Sequence, residues 1–167
     1  PPRSTLFPYT TLFRSNGHAY MGGPKGYRFP LRGKKGTVWE GGHRVPGIAW
    51  WPGRIKPGQV SDEMVISLDL MPTMLDLAGA KAPKGYALDG VSLRPVLLDG
   101  GSLGQRKFFW KGQAMRDGQW KYVANRSGGL FNLRDDLDES VDLAKRPPDR
   151  ARRMAAALEA WKRDVAN

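Results

Sequence analysis

The apolar positions of the first two thirds of the chain predict two buried elements. A short apolar run over 47–51, bounded by prolines, predicts a buried strand that enters a turn. Residues 67–80 carry apolar side chains at helical spacing, so they predict a helix with Asp69 as its N-cap and Gly79 as its C-terminal stop. The apolar face of that helix would comprise Leu68, Met71, Leu75 and Ala78.

The pattern changes at Lys107, where short apolar and aromatic runs begin to alternate with turn residues. Asp117-Gly118 lies between two such runs, which is a strong hairpin signal, and 127–129 separates the next pair. We therefore predict an antiparallel meander of about three strands. A final helix beginning near Pro148 would pack on the meander through an apolar stripe of Met154, Leu158, Trp161 and Val165.

Composition indicates a globular chain and narrows the classes of function. The 167 residues are 40% hydrophobic, carry a formal net charge of +11 and include no cysteine, which excludes disulfides and a cysteine nucleophile in this chain. No apolar run reaches the length of a membrane-spanning helix, and Pro8 interrupts any signal-peptide core. The basic residues are scattered without aromatic interleaving, so a solvated basic surface is favoured over nucleic-acid binding.

Candidate chemistry concentrates in the Gly-rich segment 16–42 and just beyond it. Asn16 is either a ligand of Ca²⁺ or Mg²⁺ or a turn residue, and Lys35 either binds an anion or is solvated. His18 and His43 could act as acid–base groups, but neither has an evident acidic partner nearby in sequence. Glu40 and Arg44 could pair with each other. These patterns leave an anion site possible and nothing more specific.

A family resemblance is carried by several motifs in order. The stretches "LRGKKGTVWEGGHRVPGIAWWPGRIKPG", "SLDLMPTMLDLAGA" and "LDGVSLRPVL" resemble the C-terminal half of a type I sulfatase, of the arylsulfatase kind in the alkaline phosphatase superfamily. The later "RDGQWKYV" and "LFNLRDDLDESVDLA", with the terminal helix, resemble that family's small C-terminal subdomain. The resemblance begins near Asn16. It implies an α/β fold: the end of an alkaline-phosphatase-like α/β sandwich, then a small antiparallel sheet with a packed C-terminal helix.

The resemblance also implies a sulfuric ester hydrolase. In that family a formylglycine made from a C/S-x-P-x-R motif attacks sulfur, a Ca²⁺ holds the sulfate oxygens, and Lys and His side chains stabilise the developing charge. Asn16 matches a metal-binding Asn, and Lys35 matches the sulfate-binding Lys, whereas Lys34 receives no catalytic role. Framework positions are matched by Glu40, Gly41, Gly42, Arg44 and Pro46.

The departures from the family pattern are severe. Ser15 stands where the family has a metal-binding Asp, and the C/S-x-P-x-R motif is absent. We therefore expect a fragment that lacks its N-terminal domain and does not hydrolyse sulfate esters alone. The substrate of the parent would be a sulfated small molecule or glycan, and the parent would be periplasmic or extracellular. Residues 16–106 would end the catalytic domain, and 107–167 would form the subdomain.

Two alternatives stay open at this point. A phosphodiesterase or phosphonate hydrolase of the same superfamily would use a similar scaffold. A non-enzymatic basic binding domain would account for the net charge of +11. A stand-alone structural or interaction domain would require the chain to fold cooperatively as a monomer.

The first fifteen residues differ in character from all that follow. Thr-Leu-Phe occurs at 5–7 and again at 11–13, each time near an Arg-Ser pair. One reverse translation of Ser4 to Ser15 matches a reading frame of a common short-read sequencing adapter. We therefore expect 1–15 to be an assembly artefact joined to a gene fragment at Asn16.

Overall fold

The structure is a computed structural model and describes residues 31–146 and 148–166. The predictions that concern Asn16, His18 and 1–15 lie outside the described residues. The chain forms two compact units, one of Gly47–Arg106 and one that combines residues 31–46 with 107–166. The elements are α1 (Glu40–His43), a 3-10 helix (Ser67–Asp69), α2 (Leu70–Leu77), α3 (Arg94–Leu98), β1 (Lys107–Trp110), β2 (Ala114–Asp117), β3 (Trp120–Val123), β4 (Gly129–Asn132) and α4 (Pro148–Asp164).

The predicted helix near residue 70 is present. Pro72 falls in its first turn, where its missing N–H removes no helical hydrogen bond. Gly79, at φ +65°, follows the helix in the left-handed conformation that commonly ends helices. The predicted C-terminal stop at Gly79 is therefore confirmed, and Pro72 is compatible with the observed start of α2.

The predicted strand over 47–51 is wrong. The segment has no strand hydrogen bonding among the described residues, and its side chains are largely exposed, with Ile48 at 54% and Trp50 at 58%. A strand exists only where a neighbouring strand accepts and donates its backbone hydrogen bonds, and the local sequence cannot supply that neighbour. The turn predicted to follow does form, since Arg54 N donates to the Trp51 carbonyl oxygen at 3.0 Å.

Asp69 has a different role from the one predicted. Its carboxylate makes no capping hydrogen bond to α2. Instead, the fully buried side chain accepts the backbone N–H groups of Ile66 at 2.9 Å and Val91 at 3.0 Å. Arg106 binds it through both terminal nitrogens, at 2.8 and 2.6 Å. Asp69 therefore ties three separate segments of the first unit together.

The apolar face predicted for α2 is not a core in this chain. Leu68 is 53% exposed and Met71 is 59% exposed, and Ala78 is exposed as well. Polar contacts hold the helix within its unit: Thr73 Oγ1 donates to the Asp69 carbonyl oxygen and accepts the Leu93 N–H at 2.8 Å.

The predicted meander has four strands rather than about three, in the order β1-β2-β3-β4, all antiparallel. Gly118, at φ +57°, lies in the connection between β2 and β3, which confirms the Asp-Gly hairpin. Because side chains alternate along a strand, the register sorts the residues into two faces. Helix α4 covers one face through a cluster of Met115, Leu130, Met154 and Leu158.

The stripe of α4 is confirmed at Met154, Leu158 and Trp161 but is wrong at Val165. Val165 follows the end of the helix and is 59% exposed. Trp161 stacks on Phe109 of β1 with 5.1 Å between ring centroids. None of the helices in the described ranges, α4 included, is long and apolar enough to cross a membrane.

The opposite face of the sheet packs against residues 31–46. Val38 and Trp39 from that segment join the core formed by Ala114, Val123, Phe131 and Leu133. In this chain, residues 31–46 therefore pack with the C-terminal sheet. The assignment of 16–106 and 107–167 to separate parts of a parent protein stays a prediction.

Replacing Asp69 tests how much its buried ion pair with Arg106 stabilises the first unit. Asp69→Asn removes the charge from a buried, bidentate ion pair, so we expect the free energy of unfolding to fall by about 3 kcal/mol. Urea denaturation measures this. The matched control is Asp99→Asn, because Asp99 pairs with Arg94 while 51% exposed and should change stability little. Equal losses in the two variants would contradict the assigned role of Asp69.

Candidate functional site

Lys35 lies at the exposed corner of a tight turn formed by Lys34 to Thr37. Thr37 N donates to the Lys34 carbonyl oxygen at 3.0 Å, and Gly36, at φ +88°, occupies the third position. This is the pattern of a type II turn, in which that position requires a positive φ. The Thr37 hydroxyl also donates to the Lys34 carbonyl oxygen, at 2.7 Å. The turn projects the Lys35 side chain toward solvent from a closed backbone ring.

The two glycines after Glu40 allow the backbone behind this turn to pack closely. Gly41 N donates to the Arg32 carbonyl oxygen at 2.7 Å, and a Cβ added at Gly41 would lie 2.6 Å from that oxygen. A Cβ at Gly42 would overlap the Thr37 carbonyl oxygen. Any side chain at either position would therefore push the turn away from α1.

Glu40, the first residue of α1, is the buried centre of an ionic cluster. Its side chain is 0% exposed. Its Oε1 atom accepts from Lys121 Nζ at 2.9 Å and lies 3.1 Å from His43 Nε2. Its Oε2 atom lies 3.4 Å from Arg116 and 3.5 Å from Arg44. Lys121 and Arg116 are cross-strand neighbours on the sheet face that packs against α1.

Glu139 supplies the second buried carboxylate. Its Oε2 atom accepts the backbone N–H of Glu40 at 2.7 Å, and its Oε1 atom lies 2.8 Å from the Lys121 ammonium. The backbone carbonyl oxygen of Glu139 accepts from Arg32 at 2.8 Å. The Arg32 guanidinium in turn stacks over Trp39, 3.7 Å from the ring centroid. One buried ammonium is thus shared by two carboxylates, one from α1 and one from the loop between β4 and α4.

The two carboxyl groups differ electrostatically. Burial on its own raises the pKa of Glu40, but the hydrogen bond from His43 and the charge of Lys121 outweigh it and hold that pKa at about 2. For Glu139 burial prevails over the attraction of Lys121, so its pKa is raised above the ordinary value. Glu40 is therefore the permanently charged anchor of the cluster.

His43 contributes as a neutral ring. Burial lowers its pKa, and although the hydrogen bond with Glu40 raises it, the nearby charge of Lys121 lowers it further. The ring stacks on Trp110 with 4.2 Å between centroids and an interplanar angle of 13°. The expectation that His43 has no acidic partner nearby in sequence is wrong, because Glu40 lies one helical turn before it. The ring of His43 helps to pack α1 against the sheet.

The predicted pairing of Glu40 with Arg44 is confirmed, although Arg44 is half-exposed and is the outermost member of the cluster. Sequence reasoning missed Lys121, Arg116 and Glu139. A signal existed for Lys121, because strand alternation places it on the same face as Val123, where an aliphatic residue is usual. Glu139 carried no signal, since it reads as one more acidic residue of a solvated loop.

The described residues do not form a Ca²⁺ site. In residues 31–146 and 148–166 no group of three or more acidic or histidine side chains is arranged to hold a metal ion. Every carboxylate of the ionic cluster is engaged by a cation or a backbone N–H. The role of Asn16 as a metal ligand stays a prediction.

Comparison with known proteins relates this arrangement to a family. The family described as "N-sulphoglucosamine sulphohydrolase, C-terminal" matches residues 33–117, about half of the chain. N-acetylgalactosamine-6-sulfatase from Rattus norvegicus is 41% identical over 111 residues, which cover 64% of this chain and 21% of the relative. An arylsulfatase from Hemicentrotus pulcherrimus is 45% identical over 80 residues, covering 48% of this chain and 14% of the relative.

Solved structures agree with the sequence relatives. The crystal structure of Ps i-CgsB in complex with k-i-k-neocarrahexaose has a TM-score of 0.69 and 32% identity, covering 81% of this chain and 32% of that chain. The PsFucS1 sulfatase from Pseudoalteromonas sp. has a TM-score of 0.66 and 28% identity, covering 78% of this chain and 32% of that one. The chain belongs to the sulfatase family that the C-terminal domain of N-sulphoglucosamine sulphohydrolase defines. It spans about a fifth of the length of its sulfatase relatives.

The neutral state of His43 predicts a pH dependence of stability. Because the folded-state pKa of His43 lies below the ordinary 6.5, the unfolded chain binds more protons as the pH falls through 6.5. The free energy of unfolding should therefore decrease from pH 7.5 toward pH 5.5, as measured by urea denaturation. In His43→Gln, which can still donate to Glu40, the decrease should be smaller. An identical pH profile would contradict this account.

The shared ammonium predicts a compensating pair of substitutions. Lys121→Met leaves two buried carboxylates facing each other, so we expect a loss of about 3 kcal/mol or more in the free energy of unfolding. Adding Glu139→Gln removes one of those charges and should recover about 1 kcal/mol.

The control for this cycle is Lys162→Met, which removes an ammonium from the exposed pair with Glu159 and should cost less than about 0.5 kcal/mol. If Lys121→Met and Glu139→Gln were simply additive, the two groups would not share the ion cluster described above.

Proposed function

We propose that this chain is the C-terminal part of a sulfuric ester hydrolase and that Lys35 binds the sulfate group of the substrate. The observation that supports this most directly is the exposed position of Lys35 at the corner of a type II turn, which is closed by the hydrogen bond from Thr37 N to the Lys34 carbonyl oxygen. Membership of the sulfatase family supplies the class of reaction.

An ammonium group is suited to this role. It is a compact point charge with three donors, so it can bind sulfate oxygens without a fixed approach angle. A positive charge placed where negative charge develops lowers the barrier only if it does not have to reorganise during the reaction. The hydrogen bonds that close the turn beneath Lys35 restrain its backbone and so favour that condition. Lys34 instead uses its N–H and carbonyl to close the turn.

The rest of the catalytic machinery would belong to a longer protein. In the family, a formylglycine nucleophile and a Ca²⁺ ion complete the site, and we propose Asn16 as a ligand of that ion. The substrate we propose is a sulfated small molecule or glycan rather than a nucleic acid. A carrageenan-type hexaose is named in the complex of Ps i-CgsB, which is a property of that protein.

A periplasmic or extracellular location of the longer protein is also proposed, since members of this family are often exported. Cell fractionation of the source organism with an antibody to this chain tests it. Recovery of the full-length protein from the cytosolic fraction alone would contradict the proposal.

The purified chain of 167 residues should show no turnover of an aryl sulfate, with or without added Ca²⁺. The reason is that its sequence holds no C/S-x-P-x-R motif from which the nucleophile could be made. Release of the aryl alcohol, followed by absorbance, is the measurement. Clear Ca²⁺-dependent turnover would overturn the assignment of the nucleophile to a longer protein.

Sulfate binding at Lys35 is testable without turnover. Titration of the labelled chain with sodium sulfate should shift the NMR resonances of Lys35 and Gly36, and Lys35→Gln should weaken that response several-fold by removing the ammonium charge. The chain offers a matched control in Lys84, which precedes Gly85 (φ +89°) in a similar exposed turn closed by Tyr86 N and the Pro83 carbonyl oxygen at 3.1 Å.

Lys84→Gln should leave the sulfate response at Lys35 unchanged. If Lys35→Gln and Lys84→Gln weakened the NMR response to sulfate equally, sulfate binding would depend only on the net charge of the chain. Tighter binding of phosphate or a phosphonate than of sulfate would favour the phosphodiesterase or phosphonate hydrolase alternative.

A further inference from the structure

Lys111 occupies an unfavourable backbone conformation in the hairpin between β1 and β2. Gln113 N donates to the Trp110 carbonyl oxygen at 2.9 Å, and the two central residues, Lys111 and Gly112, have φ of +52° and +62°. This is a type I′ turn, whose first central position favours Asn, Asp or Gly. A lysine pays a steric cost there, and such strain is often retained where a side chain has a task.

The Lys111 side chain reaches the turn that carries Lys35. Its Nζ atom donates to the Gly36 carbonyl oxygen at 2.7 Å, across a sequence separation of 75 residues. A hydrogen bond from an ammonium to a carbonyl is shorter and stronger than one between neutral groups. Lys111 of the β1–β2 hairpin is thus hydrogen-bonded directly to Gly36 of the Lys35 turn.

The space beside Gly36 in the Lys35 turn is open. Among the described residues other than Gly36 and its two chain neighbours, no atom lies within 4 Å of the position that a Cβ of Gly36 would take. The peptide group between Gly36 and Thr37 is held instead by hydrogen bonds at both ends. Its carbonyl oxygen accepts from Lys111, and its N–H donates to the Lys34 carbonyl oxygen at 3.0 Å.

We propose that Lys111 is a positioning residue that fixes the backbone of the Lys35 turn from the C-terminal sheet. This inference rests on the proposed function for its consequence, because the turn matters through the ammonium that it presents. The hydrogen bond of Lys111 restrains the exposed end of residues 31–46, and the cluster around Glu40 restrains their buried end. The sheet therefore acts on the anion-binding group at two points, one buried and one exposed.

The decisive variant is Lys111→Asn in the 167-residue chain. Asparagine suits the left-handed position better than lysine, so the hairpin should keep its stability while the turn loses its clamp. Amide hydrogen exchange followed by NMR should show the Thr37 amide exchanging about fivefold faster, the effect of losing a single hydrogen bond. The Gly36 carbonyl ¹³C resonance should shift, and the amides of Met115 and Val123 in the sheet should exchange at unchanged rates.

Two further variants complete the test. Lys111→Arg keeps a charged donor and should restore slow exchange at Thr37. Lys145→Asn removes the same charge from an exposed lysine of the same unit and should have no effect at Thr37. Unchanged exchange at Thr37 in Lys111→Asn would overturn the proposal. So would a similar increase in Lys145→Asn, or an equal increase in the sheet amides.

The exchange measurement needs neither sulfate nor turnover, so it is independent of the proposed function. In a second readout, Lys111→Asn should weaken the sulfate response of Lys35 at least twofold although Lys35 is still present. If the unmodified chain does not respond to sulfate at all, the proposed function fails, and the exchange data alone decide the role of Lys111.

Discussion

The second unit depends on the burial of one carboxylate. Glu40 lies at the start of a helix of four residues that could not persist without tertiary contacts. Its burial is tolerated because Lys121 supplies a full charge and Arg116 a second one from the adjacent strand. Since removing Lys121 would leave two buried carboxylates without their shared ammonium, the cluster favours a single docking position for residues 31–46. The position of the Lys35 turn follows from that.

Much of the local structure was predictable because local signals decided it. Pro72 and Gly79 mark the ends of α2, and Asp117-Gly118 marks a hairpin, each through a backbone constraint of the residue itself. The strand expected at 47–51 failed because its formation depends on a partner strand. Apolar character alone does not provide one.

The candidate site was predictable only in part. The role of Lys35 stays a prediction that rests on family resemblance, since an exposed lysine has no physical signature of its own. The residues that hold the Lys35 turn and α1 in place could not be predicted from the sequence. Glu139 and Lys111 make their contacts across sequence separations of 99 and 75 residues. Asp69 shows the same limitation: its place before a helix suggested a cap, whereas Arg106, 37 residues later, determines its role.

The residues of the ionic cluster lie far apart in sequence, and this has a consequence for synthesis on the ribosome. Glu40 meets Lys121 and Glu139, which follow it by 81 and 99 residues. The turn bearing Lys35 therefore emerges from the ribosome long before the groups that hold it exist. Throughout that interval the segment carries a carboxylate with no buried partner and can only remain hydrated. The turn that carries Lys35 can therefore take its final position on the sheet only after Glu139 has been synthesised.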